Sequence, residues 1–226
     1  MKSTYVSRGL DWVPVALVVV LAIRNILSNR FVPDAAYVPM NLVTAGAVYV
    51  LGRQIVTNRE IGFAHWRWGL VWGAGVLTFA ISMYLLGTLV PALDDLYRDR
   101  RVHGGLAYML YAALVRIPLG TVVLEELAFR GVLPAVLGRR WKPFVGAAVA
   151  SLLFGFWHVL PALSLSEVNP ILGRAFGDGN AGRLLGVAFA ISGTLVAGMW
   201  LCFLRYRSGA SSHRSSPTCR QTRWRT

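Results

Sequence analysis

Glu125-Glu126-Leu127-Ala128-Phe129-Arg130 places two adjacent carboxylates and one guanidinium inside an otherwise apolar part of the chain. Apolar sequence begins before it at Leu106 and continues after it to Leu137. One charged side chain at the centre of a membrane span costs about 2.5–3.5 kcal/mol on insertion scales. Three such groups within six residues therefore indicate ion pairing, a chemical role, or both.

Helix geometry separates the roles of these three residues. Glu126 and Arg130 are four residues apart and share a helix face, so we expect them to form an ion pair. Glu125 points about 100° away from Glu126 and is the carboxylate that remains available. One glutamate held by an arginine and one left available is an arrangement that suits catalysis.

The composition predicts an all-α, polytopic membrane helix bundle in the cell membrane. The chain has 226 residues, of which 55% are hydrophobic, and its long uncharged runs are typical of membrane spans. Its formal net charge of +13 does not indicate a nucleic-acid partner, because the sequence shows no soluble basic face with interleaved aromatic residues. Membrane lipid is the expected partner, and Cys202 and Cys219 form no disulfide framework.

The hydropathy pattern predicts about six transmembrane helices. They lie at about 12–27, 37–56, 69–90, 106–123, 143–163 and 184–204, with a polar loop at 94–103 and a Gly-, Asn- and Pro-rich loop at 166–182. Lys and Arg are more numerous on one side, which places both termini in the cytoplasm. Trp66, Trp68 and Trp72 are expected at the membrane interface, and Arg24 is expected to extend its side chain to it. Pro118 and Gly120 are expected to kink or break the fourth span.

A second polar group in the apolar sequence is His158, with Phe154 one helical turn before it on the same face. A buried histidine needs a hydrogen-bond partner, and alone it indicates only a contact between helices. Glu125 is the natural partner here. A glutamate and a histidine in a water-lined cavity can hold and deprotonate a water molecule.

These residues carry a resemblance to a known family. Glu125-Glu126-x-x-x-Arg130 followed by Phe154-x-x-x-His158 resembles the first two motifs of the CPBP (Abi) family, the CAAX-protease and bacteriocin-processing membrane endopeptidases. The flanking residues 116–121 and 130–133 and the 28-residue gap from Arg130 to His158 make the resemblance specific. It extends over about 116–209.

The resemblance implies hydrolysis of peptide bonds near the membrane in a peptide or protein substrate. In similar proteins the first glutamate and the histidine of these motifs activate the water, which here implies Glu125 and His158. Glu126 and Arg130 would orient the site, and Phe154 would pack against it or shield it. The family has been described both as metalloproteases and as metal-free glutamic proteases. No cofactor is favoured here, because zinc normally takes three protein ligands and the spans supply one histidine; Glu125 and His158 would be the ligands if zinc were bound.

Two other functions stay open at this point. A non-catalytic or degenerate relative could use the same helices as an immunity or scaffold protein. A transporter is the third possibility, because intramembrane carboxylates also mark proton relays, although no matching pair of Gly-broken helices is present.

The sequence divides into a membrane domain at 1–209, whose motif-bearing part is about 106–209, and a basic tail at 210–226. The tail is rich in Ser, Arg and Thr and is expected to be disordered. The family's third motif, a histidine followed four residues later by asparagine in an apolar span, does not follow Gly209. The abrupt change of composition leads to the hypothesis that the reading frame is shifted or truncated near Gly209. The chain would then lack the helix that the resemblance implies for stabilising the oxyanion, and it would be weakly active or inactive.

Overall fold

The computed structural model describes residues 10–63, 106–177 and 179–207, together with scattered positions between 71 and 91. Within these residues the regular secondary structure is helical and contains no strand. Three of the described helices are long and apolar enough to cross a membrane: Val13–Arg30, Asp34–Arg53 and Gly179–Phe203. The prediction of an all-α membrane helix bundle is confirmed.

The first two helices form an antiparallel hairpin. Helix α1 spans Val13–Arg30 and α2 spans Asp34–Arg53, and each has an apolar sequence of the length that a bilayer requires. The short helix α3, Asn58–Ile61, follows α2. It begins with a capping box, because the side chain of Thr57 accepts from the backbone of Glu60 while the Glu60 carboxylate accepts from the backbone of Thr57.

Helix α4 runs from 106 to 140 and contains the glutamate motif. Its successive segments are Leu106–Tyr111, a π-helical Ala112–Val122, the short α-helical Val123–Glu125, a second π-helical Glu126–Val132 and the α-helical Leu133–Arg140. Pro118 does not break the helix, because the backbone changes its hydrogen-bond register: the N–H of Val123 donates to the carbonyl of Pro118, five residues back.

The remaining described helices follow a tight turn after α4. Helix α5 spans Pro143–Trp157, and α6, Val159–Ala162, continues after a break at His158. The predicted loop at 166–182 is only partly correct, because it contains α7, Leu165–Val168, and α8, Pro170–Phe176. Asn169 starts α8 by accepting from the backbone N–H groups of Ile171 and Leu172. Helix α9 spans Gly179–Arg207.

Among the described residues an apolar core joins α1, α2, α4 and α5. Its fully buried side chains include Leu17 of α1, Val48 of α2, and Leu124 and Leu133 of α4. The turn between α4 and α5 is packed backbone to backbone, since a Cβ atom added to Gly146 would lie 2.5 Å from the backbone nitrogen of Gly138. Many large apolar side chains on the outer surface remain exposed, as expected where lipid covers a protein.

The span count and the side of the termini stay predictions. The third predicted span lies largely outside the described residues, although the described positions between 71 and 87 are helical. Helix α5 has 15 residues, fewer than the roughly 20 that a span usually needs. Trp66, Trp68 and Trp72, the polar segment 94–103 and the tail at 210–226 lie outside the described residues.

The expectation for Arg24 is wrong. Its exposed fraction is only 3%, and its Nη2 donates to the backbone carbonyl of Tyr37 at 3.4 Å. Leu17, Leu21 and Arg24 follow one another at helical spacing on the buried side of α1, so the arginine points into the bundle rather than to the interface. Within the described residues its Nε and Nη1 atoms have no hydrogen-bond partner.

Candidate active site

A cavity of about 990 Å³ opens between the ends of α1 and α5 and the beginnings of α2, α4 and α9. Both Glu125 and His158 line it, so the two residues that the sequence singles out share one space. Polar side chains continue around the wall, among them Asn25, Tyr37 and Thr121. The cavity is therefore large enough and polar enough to hold water together with part of a peptide.

Glu125 is fixed by a hydrogen bond from the neighbouring helix. The indole Nε1 of Trp157 donates to Glu125 Oε1 at 2.9 Å. Glu125 also interacts electrostatically with His158 and with Arg130. The indole bond engages one carboxylate oxygen and so fixes how the carboxylate faces the cavity.

His158 occupies the break between α5 and α6. Its backbone has φ −86° and ψ −1°, the sparsely populated bridge region in which many active-site residues lie. Its Nδ1 lies 2.9 Å from the backbone carbonyl of Phe154. Because a carbonyl can only accept, Nδ1 carries a proton, which leaves Nε2 as the nitrogen that accepts whenever the imidazole is neutral.

Glu126, Arg130 and Phe154 form a support behind the two cavity residues. Arg130 Nη1 donates to Glu126 Oε1 at 2.6 Å, so the expected ion pair is present. The Arg130 guanidinium lies 4.3 Å from the centre of the Phe154 ring, and that ring contacts His158 edge to face with centroids 4.5 Å apart. None of the three lines the cavity, and Phe154 reaches it through two contacts, directly on His158 and through the Phe129 ring on Trp157.

Further hydrogen bonds join the helices that form the cavity wall. Asn25 Nδ2 donates to the backbone carbonyl of Trp157 at 3.0 Å, which ties α1 to the residue that holds Glu125. The hydroxyls of Tyr37 and Thr121 lie 3.1 Å apart and connect α2 with α4. Arg116 stacks on the Tyr37 ring at 4.4 Å.

Sequence reasoning missed Trp157 and Asn25. A signal for Trp157 was present, because an indole N–H in an apolar helix needs an acceptor and Trp157 directly precedes the predicted histidine. The partner could not be named, because Glu125 and Trp157 are 32 residues apart on different helices. Asn25 gave no such signal, since an asparagine near a helix end is common.

The residues that the structure describes do not fit a zinc site. Among them no group of three or more His, Cys, Asp and Glu side chains is close enough to hold a metal ion. Glu125 and His158 supply two donors, one fewer than the three protein ligands of an ordinary catalytic zinc.

Comparison with known proteins agrees with the motif assignment. Residues 107–212 match the family model for type II CAAX prenyl endopeptidases, described as Rce1-like. The matched segment contains Glu125, Glu126, Arg130, Phe154 and His158. No curated protein and no solved structure matches the chain.

Proposed function

We propose that this chain, which carries a type II CAAX prenyl endopeptidase Rce1-like domain at 107–212, hydrolyses a peptide bond near the membrane with a water activated by Glu125 and His158. Membership of the domain in this family supports an intramembrane peptidase. The observation that carries the mechanism is that Glu125 and His158 line one cavity and that each is oriented by a hydrogen bond. Trp157 Nε1 donates to the Glu125 carboxylate, and His158 Nδ1 donates to the backbone carbonyl of Phe154.

The water is bound between the two side chains. One O–H donates to the Glu125 carboxylate and the other donates to His158 Nε2. As the water oxygen bonds to the carbonyl carbon of the substrate, Glu125 accepts its proton. The C–N bond then breaks and Glu125 returns the proton to the leaving amine. The products are an amine and a carboxylic acid, and the acid then transfers its remaining proton to the amine or to solvent. No other reactant is needed.

The surrounding residues make this water-binding geometry rigid. Trp157 holds one oxygen of Glu125, and the Phe154 carbonyl fixes the tautomer of His158 so that Nε2 faces the water as an acceptor. Arg130 is held by Glu126 and by the face of Phe154, and Phe154 buttresses the imidazole. We assign Trp157, Phe154, Glu126 and Arg130 as positioning residues.

A peptidase assay on the purified protein tests the proposal. The probe is an internally quenched farnesylated CAAX-type peptide, presented in detergent micelles or proteoliposomes. We expect the wild type to cleave it, and Glu125→Gln and His158→Ala to lower kcat by about 10²–10⁴-fold because each removes an acid–base group.

Asp11→Asn is the matched control, because it makes the same carboxylate-to-amide change at the far end of the bundle, where Asp11 pairs with Arg140 at 3.1 Å. It should retain the wild-type rate. Equal rates for wild type and Glu125→Gln would contradict the mechanism. A folded wild type that cleaves neither this peptide nor unprenylated peptides would favour the immunity or scaffold function.

A further inference from the structure

Arg116 lies nine residues before Glu125 on α4, yet both side chains line the active-site cavity. In a regular α-helix each residue turns by about 100°, so nine residues would place the two side chains on opposite faces. The π-helical segment Ala112–Val122 bonds to the fifth residue back and has more residues in each turn, which changes this alignment. Arg116, Thr121 and Glu125 therefore all face the cavity.

Tyr37 and Asp34 hold the Arg116 side chain in place. The guanidinium stacks on the Tyr37 ring, 4.4 Å from its centre, and the Tyr37 hydroxyl lies 3.1 Å from the hydroxyl of Thr121. Arg116 Nη2 donates to Asp34 Oδ1 at 3.1 Å. Among the described residues this bond uses one of the five N–H groups of the guanidinium, and Nε is buried without a partner. The Nη groups thus keep donors for a ligand in the cavity.

The charges around Arg116 favour an anionic ligand. Arg30, the last residue of α1, also lines the cavity and lies four residues before Asp34 in the sequence. Two positive charges therefore face one negative charge in this part of the wall. Elsewhere in the wall Arg183 binds Glu167 at 2.7 Å, so that pair is balanced. A carboxylate entering the cavity is attracted toward Arg116 and Arg30 and repelled by Glu125.

The distance from Arg116 to Glu125 suits a short segment at the end of a chain. Nine residues of helix extend about 13 Å along the axis of α4. Three residues of extended peptide extend about 10–11 Å. The matched family model is that of CAAX endopeptidases, and a CAAX motif ends the chain three residues after its cysteine. A terminal carboxylate held by Arg116 would therefore bring the bond after that cysteine next to Glu125.

We propose that Arg116 binds the C-terminal carboxylate of the substrate through its Nη groups and so positions the third peptide bond from that end beside Glu125. Asp34 is the group with which the substrate competes, and its side chain is 69% exposed, so it can turn into solvent when the substrate arrives. The choice of the bond that is cut rests on the peptidase function proposed above. The binding of a carboxylate does not, because it follows from Arg116 and its neighbours alone.

Binding of a short peptide tests the carboxylate site without requiring activity. The probes are the tripeptide Val-Ile-Met with a free carboxylate and the same tripeptide as its C-terminal amide, titrated calorimetrically into the purified protein in detergent. We expect the wild type to bind the acid about 10–100-fold more tightly than the amide, as a hydrogen-bonded charge pair provides. In Arg116→Gln the affinity for the acid should fall to that for the amide. Arg116→Lys should recover part of it, because the charge stays and the planar fork is lost.

Two further variants separate Arg116 from general effects on the cavity. Arg183→Gln makes the same change in the same wall at an arginine that Glu167 already holds, and it should keep the preference for the acid. Asp34→Asn removes the competing carboxylate, so it should bind the acid several-fold more tightly than the wild type and leave binding of the amide unchanged. A gain in affinity cannot come from misfolding, and size-exclusion chromatography in mild detergent verifies that the other variants are folded.

Several results would overturn the proposal. They are equal binding of acid and amide by the wild type, no binding of the acid, an undiminished preference in Arg116→Gln, an equal loss in Arg183→Gln, and no gain in Asp34→Asn. In the cleavage assay, kcat/KM should likewise favour the prenylated peptide with a free carboxylate over its amide, and Arg116→Gln should abolish this preference. The expected binding pattern combined with no cleavage of any peptide would leave the carboxylate site standing and would count against the peptidase function alone.

Discussion

Trp157 of α5 donates its indole N–H to Glu125 of α4 across a distance of 2.9 Å. The same tryptophan packs edge to face against Phe129, with ring centroids 5.5 Å apart, and its backbone carbonyl accepts from Asn25. This residue of α5 thus links the proposed base on α4 with α1. Its hydrogen bond and its packing can be separated by mutation.

The variant Trp157→Phe removes the donor and keeps an aromatic ring against Phe129. A hydrogen bond to a charged group is worth about 1.5–3 kcal/mol, so kcat should fall by about 10–100-fold. KM should stay near the wild-type value, since the bond orients Glu125 rather than the substrate. Steady-state kinetics on the prenylated peptide measures both constants.

Trp157→Leu serves as the comparison, because it loses both the donor and the aromatic contact. If Trp157→Phe keeps the wild-type kcat while Trp157→Leu is impaired, the indole acts only by packing, and its assignment as a positioning residue fails.

Glu126→Gln should act mainly on stability. Its partner Arg130 has a side chain only 11% exposed, and its Nε already lacks a hydrogen-bond partner among the described residues. Weakening the charge pairing of a largely buried guanidinium is destabilising, so the melting temperature in detergent should fall. Glu125→Gln should melt within a few degrees of the wild type, because its amide can still accept from Trp157. A Glu126→Gln variant as stable as the wild type would contradict the role of this pair.

The sequence predicts the helix class and the position of the site because charged residues stand out in apolar sequence. The ion pair between Glu126 and Arg130 and the contact between Phe154 and His158 follow from local helical spacing, and both are present. Contacts between helices cannot be predicted in this way. The bond from Trp157 to Glu125 depends on how α4 and α5 pack, which no local pattern encodes.

Two other differences have distinct physical causes. The sequence predicts Arg24 at the interface because it lies near the end of its helix, whereas the rotation of α1 turns it inward with Leu17 and Leu21. The helices in the predicted loop were missed because they are short. Asn169 followed by Pro170 was nevertheless a helix-start signal, with asparagine as the cap and proline in the first turn.

Gly146→Ala should disrupt the turn that joins α4 to α5. The added Cβ would lie 2.5 Å from Gly138 N and 2.8 Å from Pro134 O, both of which are backbone atoms that cannot rotate away. Such overpacking costs about 1–3 kcal/mol and should lower the melting temperature.

Gly46→Ala in α2 is the matched control, because its Cβ would meet nothing within 4 Å. It should leave stability unchanged or raise it by up to about 1 kcal/mol, the helix propensity difference between Ala and Gly. Equal effects of the two substitutions would contradict the close approach of α4 and α5.

The Glu60–Arg139 pair should make stability depend on acid pH. Burial acts to raise the pKa of Glu60, but hydrogen bonds from Arg139 and Thr57 outweigh it and hold that pKa below its ordinary value. A carboxylate whose pKa is lower in the folded state stabilises the fold above its unfolded pKa, about 4.3, and this contribution is lost as the pH falls through the folded pKa.

The experiment compares the melting temperatures of wild type and Glu60→Gln in detergent from about pH 7 down to about pH 3. At pH 7 Glu60→Gln should be less stable by about 1 kcal/mol, since solvent screens a partly exposed pair. The difference should shrink below about pH 4.3. Glu167→Gln, which breaks a pair with Arg183 in which both side chains are about half exposed, should change little at any pH. A gap between wild type and Glu60→Gln that stays constant down to the lowest pH would show that the ionised carboxylate is not what joins α3 to the end of α4.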